Sequence, residues 1–396
     1  MKIGILTYHF VYNFGANLQA LSTFFYFKNR GYEVKVINWQ PGDTMNWYRQ
    51  ATNPEQAKEH ELVQSLFDLT RVCVTNEEVR SILSEENFDA VIIGSDAVIQ
   101  YKPILFDINN LKGRLLEHSF PNPFMGLVDT NKCKVIYMSV SAQNTLFKGL
   151  LWFEKKKLRE YFKNVCHLFV RDTWTQDYFR KLLADSILPP ITPDPVFSFN
   201  QNCSKLLEGR FEKLLSEYPF LNDKYILLSF KKANKPKDET WVNKFDTLAK
   251  SHGYKVVTLP YPQESVTFDL SFSISLPLNP LDWYVLITNS CGYVGNNMHP
   301  IVTCIHNKVP FFIFDGYVVL NRFAKYTNTS SKIFDLLNKL ELTDYYYNIK
   351  ENKEPTPGYV FERVSNFNRA QLNDASDSMN LQYKMMMRKI ESFISD

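Results

Sequence analysis

At 396 residues the chain is too long for one ordinary hydrophobic core, and two domains of ordinary size fit it better. The formal charge of +3 is nearly neutral for this size and no Lys/Arg block stands out, which excludes an electrostatic nucleic-acid binder. The cysteines scatter without a C-x-x-C pair, arguing against a structural zinc site or a thioredoxin-like redox pair, and no run approaches the roughly 18 apolar residues of a membrane span.

The start, MKIGILTYHF, is apolar for too few residues to be a signal peptide and reads as a first strand, so a cytoplasmic protein is expected. HFVYNFGAN follows as a loop. LQALSTFFYFKNRG reads as a helix with Leu18, Leu21, Phe24, Phe25 and Phe27 on one broad apolar face, closed by Gly31. YEVKVINW is the next strand. Strand, helix, strand in this order imply a parallel sheet. FDAVIIGSD (88–96), KVIYMSVSAQ (134–143) and VCHLFVRD (165–172) continue the series as strands, and TWTQDYFRKLLAD reads as a helix with a Thr173/Gln176 capping box. Cys166 and Cys304 fall in apolar runs and read as reduced, buried thiols.

Residues 199–223 read as a linker with helical character. A second alternating set then runs through KYILLSFKK (224–232), a helix near 239–252, GYKVVTLPY (253–261), DWYVLITNS (282–290) and KVPFFIFD (308–315). The stretch after residue 368 reads as an amphipathic helix. The fold class expected is α/β, with two Rossmann-like domains whose parallel sheets face a cleft. The first domain spans residues 1–200, the second 201–330, and 331–396 form a helical segment.

In parallel α/β sheets, ligands bind beyond the carboxyl ends of the strands, so the residues just after each strand are the candidates. Asn13, Phe14, Gly15 and Asn17 precede a helix whose backbone N–H groups favour an anion or a hydroxyl-rich ligand; a plain Asn cap is the other reading. Gly94, Ser95 and Asp96 form either a ligand loop or a capped turn. Arg171 ends a strand, where a guanidinium grips carboxylate or phosphate, or else pairs with Asp172 or Asp177. Lys231 and Lys232 follow the first strand of the second set, as a cleft cation or a solvated pair. In SCGYVGNNMHPIVTCIHNKVPFFIFD (290–315), His299 stands one residue before Pro300, a first-turn proline, which sets the imidazole at a helix N-terminus facing the strand ends. His9 is a weaker candidate of the same kind, and His306 reads as structural.

These segments carry a resemblance. NFGANLQAL (13–21), FDAVIIGSDAV (88–98), FVRD (169–172), DPVF (194–197) and VGNNMHPIVTCIHNKVPFF (294–312) resemble, in this order, the motifs of polysaccharide pyruvyl transferases, over roughly residues 1–320. The resemblance implies a fold like GT-B glycosyltransferases and transfer of pyruvate from phosphoenolpyruvate to a sugar as a cyclic ketal. It makes Arg171 and His299 donor-site residues. Many members carry S-F-H or R-x-H at the histidine, whereas this chain has Asn297-Met298-His299 and lacks the arginine.

On that footing His299 is the proton donor or phosphate partner and Asp96 a base or sugar-hydroxyl acceptor. Arg171, Lys231, Lys232, Ser290, Asn297 and Met298 are assigned to the donor side. Asn13, Phe14, Gly15, Asn17, Gln19 and Ser95 are assigned to the acceptor, with Tyr8, Phe10, Tyr12 and Trp39 as sugar-stacking aromatics. Phosphoenolpyruvate is the donor substrate; neither cofactor nor metal is expected. The acceptor is a glycan, lipid-linked in one version, with peripheral contact at the inner face of the membrane. Two other readings stay open: a GT-B glycosyltransferase using a nucleotide sugar, and a non-catalytic glycan-binding relative.

Overall fold

The computed structural model describes residues 1–104, 116–143, 145–184, 188–316, 331–350 and 353–395. Its frame is two parallel sheets. The first has strands β1 (Lys2–Leu6), β2 (Glu33–Val36), β3 (Ala90–Ile93), β4 (Lys134–Val140) and β5 (His167–Val170), ordered β2-β1-β3-β4-β5. The second has β6 (Tyr225–Ser229), β7 (Lys255–Thr258), β8 (Phe272–Ser273), β9 (Gly292–Gly295), β10 (Phe311–Asp315) and β11 (Tyr346–Asn348), ordered β11-β10-β9-β6-β7-β8. Every inner strand is an apolar run because helices cover both faces of each sheet.

The helix Phe14–Lys28 begins where Asn13 Oδ1 accepts a hydrogen bond from the Ala16 N–H at 3.1 Å. It is buried along nearly its whole length, since it also meets the second half, where Phe14 and Trp283 pack ring to ring. The helix Thr173–Leu182 is not capped by the expected Thr173/Gln176 box. Asp172 caps it, accepting from the Thr175 N–H at 2.7 Å, and Gln176 donates instead to the Pro189 carbonyl.

One strand assignment is overturned. Of residues 282–290, the first seven belong to the helix Pro280–Thr288, with Asn279 as its cap and Pro280 in its first turn, and Asn289 caps its end. This helix is buried on all sides, so it shows no amphipathic period and reads as an apolar run. The strand is the following Gly-Tyr-Val-Gly of β9. Here glycine is dictated by crowding: a Cβ on Gly295 would lie 2.4 Å from the Ser229 carbonyl oxygen.

Residues beyond 331 supply more than helix. The helix Lys332–Lys339 follows β10, β11 extends the second sheet, and the helix Pro357–Ser365 packs on the helix Trp241–Ser251. The helix Arg369–Ser395 then crosses back to the first half. Its Glu391 accepts from the Tyr26 hydroxyl, its Ile394 carbonyl from Lys134 Nζ, and its Met386 sulfur from the Ser139 hydroxyl. Among the described residues no helix is long and apolar enough to cross a membrane.

Two expectations on side-chain exposure are corrected. Phe10, Tyr12 and Trp39 are buried in the core and cannot stack on a sugar, and Tyr8 is partly buried edge-on to Phe124. Cys166 is exposed, because it precedes β5 rather than lying in it; Cys304 is buried.

Candidate functional site

The carboxyl ends of β3 and β5 bring Asp96 and Arg171 together. Gly94 is required at the turn: its φ is +127° and a Cβ would stand 2.2 Å from the Met138 carbonyl oxygen. Asp96 itself has φ +76°, a conformation that costs an ordinary residue about 1–2 kcal/mol. It is held there by a backbone bond from the Ser141 N–H and by Arg171. The Arg171 guanidinium, 4% exposed, donates to Asp96 at 3.0 Å and to Asp194 at 2.9 Å. Asp194 also accepts from the Gln19 amide and the Val196 N–H. Burial pushes the Asp96 carboxyl up, but the charges of Arg171, Lys332 and His299 outweigh it and hold it well below the usual carboxylate range.

Of the two readings of Arg171, the ion pair is the one formed, with Asp96 and Asp194 rather than Asp172 or Asp177 as partners. Its charge is already matched. Arg171, Asp194, Met298 and Lys332 line a cavity of ≈ 120 Å³. Lys332 Nζ stands 3.8 Å from Asp96, and burial together with Arg171 lowers its pKa to about 8. No sequence motif marks Lys332, which opens the helix after β10; only the fold brings it beside Asp96.

His299 points the other way. The helix Met298–His306 starts at the carboxyl end of β9, with Met298 turned to the first cavity and His299 to a second, narrower crevice of ≈ 50 Å³. Asn13, Phe14 and Gly15 from the first half and Lys231, Asn297 and His299 from the second line this crevice. The imidazole lies so close over Gly15 that a Cβ there would be 2.0 Å from its Cγ. The glycine is thus the seat of the histidine. His299 Nε2 is enclosed and has no hydrogen-bond partner. Burial lowers the His299 pKa, against the pull of Asp194 and Asp96. Lys231 is also pushed down by burial, with Glu264 opposing, and lies over the Tyr261 ring.

The remaining candidates divide. Lys231 faces the crevice, whereas Lys232 is exposed. Gln19 and Ser95 join the Asp194 network, Ser95 donating to the Ser139 carbonyl. Asn17 is fully buried, bonded to the carbonyls of His9 and Val11 and to His60, so its amide is spent on the loop. Ser290 lies before β9 begins, at the edge away from the cleft, and donates to the Ile287 carbonyl; the strand misassignment had put it among the ligand residues. His9 is bonded to Thr7 and Asn38, and His306 to Asn200 and Asn380. Among the described residues no cluster of His, Cys, Asp or Glu suits a metal ion.

Two parallel α/β sheets meeting at their strand ends, with a closing helix that returns to the first half, define the architecture of GT-B glycosyltransferases and related epimerases. Solved structures agree on the fold. UDP-GlcNAc 2-epimerase from Neisseria meningitidis bound to UDP-GlcNAc is 13% identical with TM-score 0.50, covering 98% of this chain and 100% of its own. The S. aureus MnaA–UDP structure is 9% identical with TM-score 0.54, covering 100% and 96%. Spinosyn forosaminyltransferase SpnP is 10% identical with TM-score 0.50, covering 100% of both. A comparison with curated proteins finds no match. The chain belongs to the polysaccharide pyruvyl transferase family, whose sequence model matches residues 13–316.

Proposed function

We propose that this protein transfers pyruvate from phosphoenolpyruvate to a sugar of a cell-surface polysaccharide precursor, forming a cyclic ketal. The observation that carries the reading is His299 Nε2, enclosed without a partner in a crevice to which both halves contribute. Most buried polar atoms in proteins find a partner, so an orphaned imidazole nitrogen beside a half-buried lysine suits an anionic ligand. The donor carries about three negative charges near neutral pH. Lys231 and the N-terminal amides of the helix Met298–His306 would hold them.

In the free protein burial favours the neutral imidazole of His299. A dianionic phosphate beside Nε2 opposes that effect, so donor binding would protonate the ring. The ring then gives this proton to the methylene carbon as C2 becomes electrophilic. One sugar hydroxyl bonds to C2, a second replaces phosphate there, and of their two protons one restores the imidazolium and the other leaves with phosphate. Asp96, ionised and held by Arg171, accepts a hydrogen bond from a sugar hydroxyl in this scheme. A lipid-linked oligosaccharide is the acceptor we favour, with the reaction at the inner face of the membrane.

The family's fold also serves nucleotide-sugar chemistry. The helix after β9 carries no acidic residue to hold a ribose, which favours the pyruvyl reading. Incubation with phosphoenolpyruvate and a panel of glycans, reading mass gain and released phosphate, tests it. Transfer from a nucleotide sugar instead, or neither reaction, would refute it.

A further inference from the structure

We propose that the helix Trp152–Phe162 and the turn before it dock this protein on an anionic lipid surface. Trp152 is 76% exposed, more than any other large apolar side chain among the described residues. It opens the helix, and the buried side of that helix is taken by Glu154, Leu158 and Phe162. Counting along the helix, Lys155, Lys156 and Lys163 fall on the same side as Trp152, at spacings of three, four and eleven residues. Exposed Lys148 lies in the turn just ahead. Lys155 folds its ammonium over the Phe147 ring, and Lys156 has Glu160 at 3.9 Å. Residues 146–184 hold nine basic and four acidic side chains, in a chain whose whole net charge is only +3. The basic excess is therefore local.

Why lipid rather than another partner follows from this pairing. An indole at the tip suits the headgroup level, and lysines around it meet an anionic interface while their alkyl stems cover apolar surface. The place is also informative. The helix Trp152–Phe162 lies between β4 and the parallel β5 in the chain, so Trp152 at its start lies toward the sheet edge that carries Asp96 and Arg171. A bilayer bound there would lie along the first half's rim of the cleft. The inference stands apart from the pyruvyl reading, because its test measures binding and not turnover.

The test uses the full chain in flotation with vesicles of phosphatidylcholine alone or mixed with phosphatidylglycerol. Binding is expected only to the anionic vesicles, weakening as salt rises. Each of Lys148→Gln, Lys156→Gln and Lys163→Gln should lower the partition roughly fivefold, and Trp152→Ala roughly tenfold. Circular dichroism of each variant should match that of the unaltered protein. Absence of flotation, equal binding by the variants, or salt-insensitive binding to phosphatidylcholine alone would overturn the proposal. So would self-association abolished by Trp152→Ala without vesicle binding, which would mark a contact between copies.

Discussion

The two sides of the first turn of the helix Met298–His306 differ in how their charges are spent. On the Met298 side, Arg171, Asp96, Asp194 and Gln19 bond to one another and the arginine's charge is matched by two carboxylates, although its Nε has no partner. On the His299 side, an enclosed imidazole nitrogen has no partner and a half-buried lysine faces the same crevice. The first arrangement fixes geometry, joining the ends of β3 and β5 to the DPVF segment that leads into the second half. The second leaves bonding capacity for something that arrives. An unpartnered imidazole nitrogen and an ion-paired arginine can therefore lie on two sides of the same helix start.

The largest effect should come from breaking the satisfied side. Arg171→Ala strands two carboxylates, one of them almost wholly enclosed, and should cost about 3–5 kcal/mol in stability, read by urea unfolding. A stable Arg171→Ala protein that has lost only donor binding would move Arg171 to the ligand side. Next, His299→Ala should lower turnover by roughly 10²–10⁴-fold with little change in the urea midpoint. Equal loss of stability there would erase the contrast. Gly15→Ala tests the seat of the histidine, since the added methyl meets the ring directly. Overpacking should cost about 1–3 kcal/mol and carry a loss of turnover, whereas Ala at exposed Gly42, with open space around it, should not.

The smallest effect is a pH signature of the satisfied side. Lys332 folds with a pKa of about 8, below its ordinary 10.5, so between these values the unfolded chain binds the proton that the folded lysine has shed. Its contribution makes stability rise with pH across that window. Lys332→Met should remove that slope relative to the unaltered protein, and an unchanged difference between the two from pH 8 to 10 would show the lysine to be unperturbed.

Much of the frame was legible because buried parallel strands are continuous apolar runs and their loops are not. KIGIL, AVII and KVIYMSV needed only that contrast. It failed at 282–290, where a helix buried on every side loses its period; the Asn279-Pro280 start signal was the clue that outranked the apolar run. It failed again at β9, where Gly292, crowded by Val364, and Gly295, crowded by Tyr293 and Ser229, replace the residues that announce a strand. At the site, His299 was visible as a histidine at a helix start, whereas Gly15 was marked only for its place before a helix and not as the seat of that histidine. Asn17 was misleading because a buried amide serves a loop as readily as a ligand. Lys332 was invisible, since its partner Asp96 lies in the other half of the chain.

The return of residues 369–395 onto the first sheet bears on how the protein is born. Tyr26, Lys134 and Ser139 leave the ribosome long before the partners that cover them. At ordinary synthesis rates the interval is roughly 10–70 s. Through that time the nascent first half lacks the cover that residues 369–395 later supply.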